Sequence, residues 1–118
     1  MRKRLRKKLR LGEFSELGFE LRLRLREGLT EADAETAIDD FIREAIESRD
    51  LAVGGGYGEV WNFFVTRVLP GSVNEDERSA VLAWLHADSR FTNVQASPLL
   101  DAWYQTWDWE NNTIDALR

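Results

Sequence analysis

The sequence contains no cysteine, two prolines and a single histidine among 118 residues. The absence of cysteine excludes a disulfide framework, a thiolate-bound zinc or iron–sulfur site and a thiol nucleophile. With His86 as the single imidazole, there is little from which to build a histidine metal site or a Ser–His–Asp triad. The composition therefore disfavours these kinds of metal site and catalytic site, and we expect a non-enzymatic protein that has no cofactor, no bound metal and no small-molecule substrate.

Long apolar runs are also missing, and no stretch approaches the roughly 20 residues that a membrane-spanning helix needs. Residues 1–11 have the positive charge of a signal-peptide n-region, but no apolar h-region follows them. We therefore expect a soluble, cytoplasmic protein with no membrane partner.

Apolar side chains are nevertheless plentiful, because hydrophobic residues make up 43% of the chain and include five tryptophans and six phenylalanines. This content argues against global disorder and favours one domain, since domains commonly have roughly 100–150 residues. The predicted organisation is a basic arm over residues 1–12, one domain over residues 13–104 and a polar C-terminal tail over residues 105–118. We expect a monomer.

The net charge of −5 hides a strong asymmetry along the chain. Residues 1–26 hold ten Lys and Arg against three acids, a net charge of +7, whereas residues 27–118 hold six Arg against 18 acids, a net charge of −12. Such asymmetry between parts of one chain points to a nucleic-acid or membrane partner for the basic part.

The clearest structural pattern is a strict alternation over residues 19–26, which is typical of a strand with one buried face. The apolar members are expected on the helix side of a sheet, and the charged members on its open side. The expected open-face residues are Glu20, Arg22, Arg24 and Arg26.

Two helices are predicted by N-terminal capping patterns, Thr30 with Asp33 and Asn74 with Glu77. Further strands are predicted over residues 51–53, 60–69 and 91–97, with a glycine turn over residues 54–58. Residues 99–104 are either extended or a turn. The order β-α-β-β-α-β predicts an α+β, ferredoxin-like fold: an antiparallel sheet with two helices on one face, behind the basic arm. A different α+β sheet stays open.

Other candidate motifs are better explained as structural. The glycines lack the Lys-Ser/Thr ending of a phosphate-binding loop, and Asp39 and Asp40 are adjacent on a helix, so they do not face one metal. His86 is expected at the surface. Trp107 and Trp109 are expected to be the most exposed aromatic pair, and whether they fold back on the domain or meet a partner is left open. One of Trp61, Phe63 and Phe64 could stack on a base, depending on strand register.

The basic arm and the arginines of the first strand are the predicted RNA-binding residues, because Lys and Arg neutralise phosphates irrespective of sequence. The acidic helices should face away from the polyanion and so set its orientation. The predicted contact residues are Arg2, Lys3, Arg4, Arg6, Lys7, Lys8, Arg10, Arg22, Arg24 and Arg26.

Short motifs along residues 2–104 resemble the YggL family. They include residues 4–8, 13–14, 16–19, 39–42, 46–47, 51–52, 84–85 and 101–104, together with Glu44 and Trp61. The resemblance implies a small bacterial protein that binds the large ribosomal subunit and has no enzymatic activity attached to it. It further implies that Arg4, Arg6, Lys7 and Lys8 contact rRNA.

Two rivals belong to other classes. The acidic helix face or the Trp-rich tail could bind a ribosomal protein or an assembly factor, which would make this a protein-interaction module. Alternatively, residues 2–11 could be a basic amphipathic membrane anchor, although three leucines offer little apolar area. A hydrolase with paired carboxylates is weaker still.

Overall fold

The computed structural model describes residues 16–56, 60–102 and 105–116, and its centre is a five-stranded sheet with two helices. The strands are β1 (Leu17–Leu25), β2 (Leu51–Gly56), β3 (Trp61–Arg67), β4 (Phe91–Ala96), β5 (Leu100–Asp101), β6 (Gln105–Asp108) and β7 (Thr113–Ala116). The helices are α1 (Glu31–Phe41) and α2 (Glu75–Ala87). Neither helix is long and apolar enough to cross a membrane, nor is any other helical segment in the described ranges.

The strand order in the main sheet is β2-β3-β1-β4, and β5 also pairs with β1. Each of these pairings is antiparallel. The predicted α+β class, with an antiparallel sheet and two helices, is therefore confirmed. Because β1 lies between β3 and β4, its side chains show most clearly which residues point to each face of the sheet.

The alternation of β1 places its apolar side chains on the helix side, as predicted. Phe19, Leu21 and Leu23 are at most 1% exposed and belong to one core with side chains of α1 and α2. Burying each such side chain contributes roughly 1.5–3 kcal/mol, which explains why the register is strongly specified. The charged positions between them lie on the opposite face of the sheet.

Both predicted N-terminal caps form. The Thr30 hydroxyl accepts the backbone N–H of Asp33 at 3.0 Å. Asn74 and Glu77 make a reciprocal capping box, in which each side chain accepts the backbone N–H of the other residue. A π-helical segment (Ile42–Ile46) and a 3-10 turn (Glu47–Arg49) continue α1, so the helical run ends at Arg49.

The core between the helices and the sheet is aromatic. The ring of Phe41 lies 5.9 Å from Phe63, 5.9 Å from Trp84 and 6.1 Å from Phe91, measured between centroids, and Phe41 is fully buried. Tilted aromatic pairs at these separations add about 0.5–1.5 kcal/mol each beyond area burial. Phe41 therefore joins α1, α2, β3 and β4 in one packing unit.

The prediction of a turn beginning at Gly54 is wrong, because β2 continues through Gly56. Backbone pairing with β3 needs no side chain, so glycines can extend a strand that residue preferences alone would end. Gly55 has φ of 150°, and a Cβ added there would lie 2.0 Å from the carbonyl oxygen of Asn62. Glycine is therefore required at this position, while residues 57–59 of the predicted turn lie outside the described residues.

The C-terminal part is more structured than a polar tail. β6 and β7 form an antiparallel hairpin in which Trp107 pairs with Ile114. The open choice at residues 99–104 is settled for the first part, since Leu100 and Asp101 pair with Gly18 and Leu17 of β1. The hairpin is consequently connected to the sheet through a strand that lies beside β1.

Candidate nucleic-acid interface

The sheet face that carries no helix presents polar and charged side chains from three neighbouring strands. On β1 these are Glu20, Arg22 and Arg24. The strand registers place Asn62 beside Arg22 on one side and Gln95 beside it on the other. This face is therefore polar around Arg22, and the charged positions of β1 lie on it, as predicted from the alternation of β1.

The arginines on this face differ from those elsewhere in the pairing of their charge. Arg24 and Arg26 are exposed, and neither has an ion pair or a side-chain hydrogen bond with another described residue. By contrast, arginines on the helix side of the molecule are held by carboxylates at 2.6–3.1 Å, namely Arg43, Arg67, Arg78 and Arg90. Arg49 is hydrogen-bonded to two backbone carbonyls and to the Ser48 hydroxyl instead. Within the described residues, the end of β1 is therefore where two exposed arginines without a carboxylate partner lie together.

The strongest of the internal pairs surrounds Arg90. Its guanidinium donates two hydrogen bonds to Asp88, at 2.6 and 3.0 Å, and a third to Asp40 at 3.1 Å. These bonds hold the pKa of Asp88 below its ordinary value. The pKa of Asp40 is lowered first by its hydrogen bond from Arg43 and then by that from Arg90. Because the charges in this cluster are paired with one another, the cluster has little free positive charge with which to attract a polyanion.

The C-terminal hairpin is attached to the open face through Glu20. One carboxylate oxygen of Glu20 accepts the Thr106 hydroxyl at 2.9 Å and the Trp107 backbone N–H at 2.9 Å. Hydrogen bonds to a charged acceptor contribute about 1.5–3 kcal/mol, so this contact is strong enough to fix the hairpin on the sheet. No sequence signal marked Glu20 for this role, because its partners lie more than 80 residues away along the chain.

Arg22 lies under the same hairpin. Its guanidinium carbon is 5.1 Å from the centroid of the Trp109 ring, and Trp107 meets Trp109 edge-on with centroids 6.3 Å apart. Both tryptophans are half-buried, as are Trp61, Phe64 and Trp84, so the expectation that they are the most exposed aromatic pair stays a prediction. They fold back on the domain, which answers the question that the sequence left open.

The three predicted strand arginines therefore have different surroundings. Arg22 is half-buried against an indole, where cation–π attraction compensates part of its lost hydration. Arg24 and Arg26 remain open to solvent. The arm residues predicted to bind RNA lie outside the described residues: Arg2, Lys3, Arg4, Arg6, Lys7, Lys8 and Arg10.

The register also decides which aromatic ring is on the open face. Trp61 and Phe63 stack on the helix side with centroids 5.8 Å apart. Phe64 pairs with Glu20 and lies on the opposite face, where its ring packs so closely over Gly18 that a Cβ there would lie 2.8 Å from it. Among the three candidates on β3, Phe64 is therefore the one that could contact a base.

Metal-binding arrangements are not found in the described ranges, where no group of three or more His, Asp or Glu side chains could hold an ion. His86 is exposed at the end of α2, as predicted. The geometry thus contains a polar sheet face with two solvent-open arginines.

Comparison with known proteins identifies the family to which the chain is similar. Residues 3–104 match the family described as YggL 50S ribosome-binding protein. An uncharacterised protein of Haemophilus influenzae is 33% identical over 102 residues, which cover 86% of this chain and 89% of that protein. No solved structure is significantly similar. The hairpin β6–β7 lies beyond the matched residues. Because the match extends over nearly the whole of the rest of the chain, this protein belongs to the YggL 50S ribosome-binding family.

Proposed function

We propose that this protein binds the large ribosomal subunit without catalysing a reaction, mainly through phosphate contacts made by the basic arm to rRNA. The observation that carries the proposal is the solvent-open charge of Arg24 and Arg26 at one end of β1, on a chain of a family described as 50S ribosome-binding. Cytoplasmic location is part of the same proposal, because it follows from binding to ribosomes.

The division of charge between the two sides of the sheet supports an RNA partner. Phosphates are attracted to the arginines at the end of β1, whose guanidinium groups have no ion pair with a described carboxylate. The charge of Arg26 also helps to lower the pKa of Asp88, so Arg24 is the freer of the two. Phosphates are repelled by acids on the outer side of α1, such as Glu35 and Asp39. The sheet face would therefore turn toward the subunit surface and the helices away from it.

The arm is proposed to supply most of the affinity. Seven of its residues are basic and none of residues 2–10 is acidic. If about five phosphates are contacted, the affinity falls a few-hundredfold between about 50 and 200 mM salt. Phosphate contacts hold a protein in place without reading sequence, so we expect no base-specific recognition.

The finer fold assignment is part of the same proposal. The β2-β3-β1-β4 order, with helices joining β1 to β2 and β3 to β4, supports a ferredoxin-like arrangement behind the arm. We propose that a monomer presents the arm and the sheet face together, since β1 begins at Leu17, only a few residues after the arm segment 1–12.

Sedimentation of the protein with purified large subunits at two salt concentrations tests this function. Replacing Arg4, Arg6, Lys7 and Lys8 by Ala is expected to abolish co-sedimentation, and Arg24→Ala with Arg26→Ala to weaken it about tenfold. The melting temperature should hardly change, because exposed substitutions usually alter stability by less than about 0.5 kcal/mol.

The matched control replaces two exposed or half-exposed arginines on the helix side, Arg43 and Arg49, by Ala. This variant loses the same charge and should keep full binding. Retained binding of the arm variant at low salt, or equal losses in the two arginine pairs, contradicts the proposal.

A further inference from the structure

A groove of about 700 Å³ lies between α1 and the β2–β3 edge of the sheet, far from the arginines of the open face. Its floor and walls are apolar, formed by Ile38, Ile42, Val53, Trp61 and Phe63. Its rim on α1 is acidic, with Glu31, Glu35 and Asp39 spaced four residues apart. Residues four apart lie on one side of a helix, so the three carboxylates form a row along the groove.

The rim acids lack the cationic partners that neighbouring acids have. Asp40 and Glu44, one step around the same helical surface, are paired with Arg43 at 2.8 and 3.1 Å. Glu31, Glu35 and Asp39 are exposed and have no ion pair with any described residue. Among the described residues, none of those that line the groove is basic. The described part of the chain thus leaves its negative charge uncompensated beside an apolar surface.

The strand that borders the groove also has a free edge. Within the described residues, β2 pairs with β3 alone. The Asp50 carbonyl accepts the N–H of Val68, and bonding alternates along an antiparallel ladder, so the backbone groups of Val53 point away from β3. Gly54 has open space where a side chain would lie. Such an edge can receive an additional strand.

We propose that this groove binds an extended polypeptide segment rich in Lys and Arg, which adds as a strand to the free edge of β2. Backbone hydrogen bonds to β2 hold the segment, as in other cases of strand addition. Its apolar side chains enter the groove against Ile42 and Val53, and its basic side chains meet Glu35 and Asp39. The proposal does not depend on RNA binding by the opposite face.

Charge decides between the possible occupants. RNA is disfavoured because its phosphates meet a row of three carboxylates that have no ion pair with a described residue, and like charges brought together cost several kcal/mol. An acidic or neutral peptide leaves the carboxylates uncompensated as the groove becomes desolvated. A basic segment with alternating apolar residues satisfies the rim, the groove and the strand edge together.

The probe is a fluorescent peptide of alternating lysine and valine, about six residues long, the usual length of a strand. Its affinity is measured by fluorescence anisotropy at about 50 mM salt, where screening is modest. Glu35→Lys with Asp39→Lys is expected to weaken binding at least about tenfold. Both positions lie beyond the first turn of α1, so the helix dipole does not penalise the new lysines.

The charge-matched control is Glu47→Lys with Glu110→Lys, which changes two exposed acids elsewhere and should alter the affinity by less than about twofold. A second variant, Ala34→Leu, fills the groove without changing charge and should also weaken binding. Circular dichroism verifies that each variant is folded. Methylation of alternate peptide nitrogens, which removes the backbone donors, is expected to abolish the interaction.

Two results overturn the proposal. In the first, the groove variants and the control bind the peptide equally, or methylation of the peptide has no effect. In the second, removal of residues 1–11 raises the peptide affinity more than about tenfold. That increase would show that the occupant of the groove is the basic segment of the chain itself and not a partner.

Discussion

The two faces of β1 contain side chains from one short run of residues, yet they differ in how charge and apolar surface are satisfied. On the helix side, Phe19, Leu21 and Leu23 are buried in an aromatic core. On the open side, Glu20 and Arg22 are engaged by the C-terminal hairpin, whereas Arg24 is left to solvent. All three apolar side chains on the helix side are thus buried, whereas on the open side only the side chains that contact the hairpin are held in place.

The same contrast holds for the arginines. Four of those on the helix side, Arg43, Arg67, Arg78 and Arg90, form ion pairs, so their charges serve the fold. Arg24 and Arg26 have no such role, and replacing them should change binding before stability. Because side chains on the two faces of the sheet can be substituted separately, variants on each face test whether one face serves folding and the other serves binding.

The largest expected effect is on the helix side. Phe41→Ala removes a fully buried ring that contacts three others and should lower the free energy of unfolding by about 3–5 kcal/mol. Phe64→Ala, on the open face, should cost clearly less, because Phe64 is only partly buried. Urea unfolding of both variants measures the difference. Equal losses would break the distinction between a packed face and a polar one.

A smaller effect is expected at the hairpin. Glu20→Ala removes the acceptor of the Thr106 and Trp107 hydrogen bonds and should weaken docking of the hairpin by about 1–3 kcal/mol. Quenching of tryptophan fluorescence by acrylamide should increase, since Trp107 and Trp109 become more accessible. Glu20→Gln keeps an acceptor oxygen and should restore most of the protection. Unchanged quenching in the Ala variant contradicts the role assigned to Glu20.

The smallest effect is a dependence on pH. The pKa of Asp88 is lowered in the folded protein by hydrogen bonds from Arg90, so the ionised carboxylate favours folding. This stabilisation is present above the ordinary pKa of 3.8 and is lost as the pH falls through the lower, folded-state pKa. Asp88→Asn should flatten the fall in melting temperature below about pH 4. Arg24→Ala, the open-face control, should leave the pH profile unchanged.

Local patterns were sufficient to predict much of the fold. The alternation over residues 19–26 predicted which side chains of β1 are buried, and Thr30 and Asn74 marked the starts of both helices. These features depend on residues that are only a few positions apart in the sequence. The turn predicted from the glycines at residues 54–56 was wrong for the same reason. The residue preferences of glycine indicate a turn, and they contain no information about the pairing of β2 with β3.

The candidate site was predictable only in part. The composition of the open face could be read from β1, and Arg24 and Arg26 are exposed as expected. The docking of Trp109 on Arg22 and the choice of Phe64 over Phe63 depend on register and on a contact across 87 positions of the chain. Neither has a signal in the short-range pattern.

The sequence by itself determined the α+β class, the caps and the division of charge between a basic beginning and an acidic remainder, because these follow from composition and short periods. Only the tertiary structure decided that the hairpin covers Arg22 and that a free edge of β2 borders an acidic groove. The physical reason is that covering a face or leaving an edge open depends on which distant segments meet, and that choice is made by packing of the whole chain.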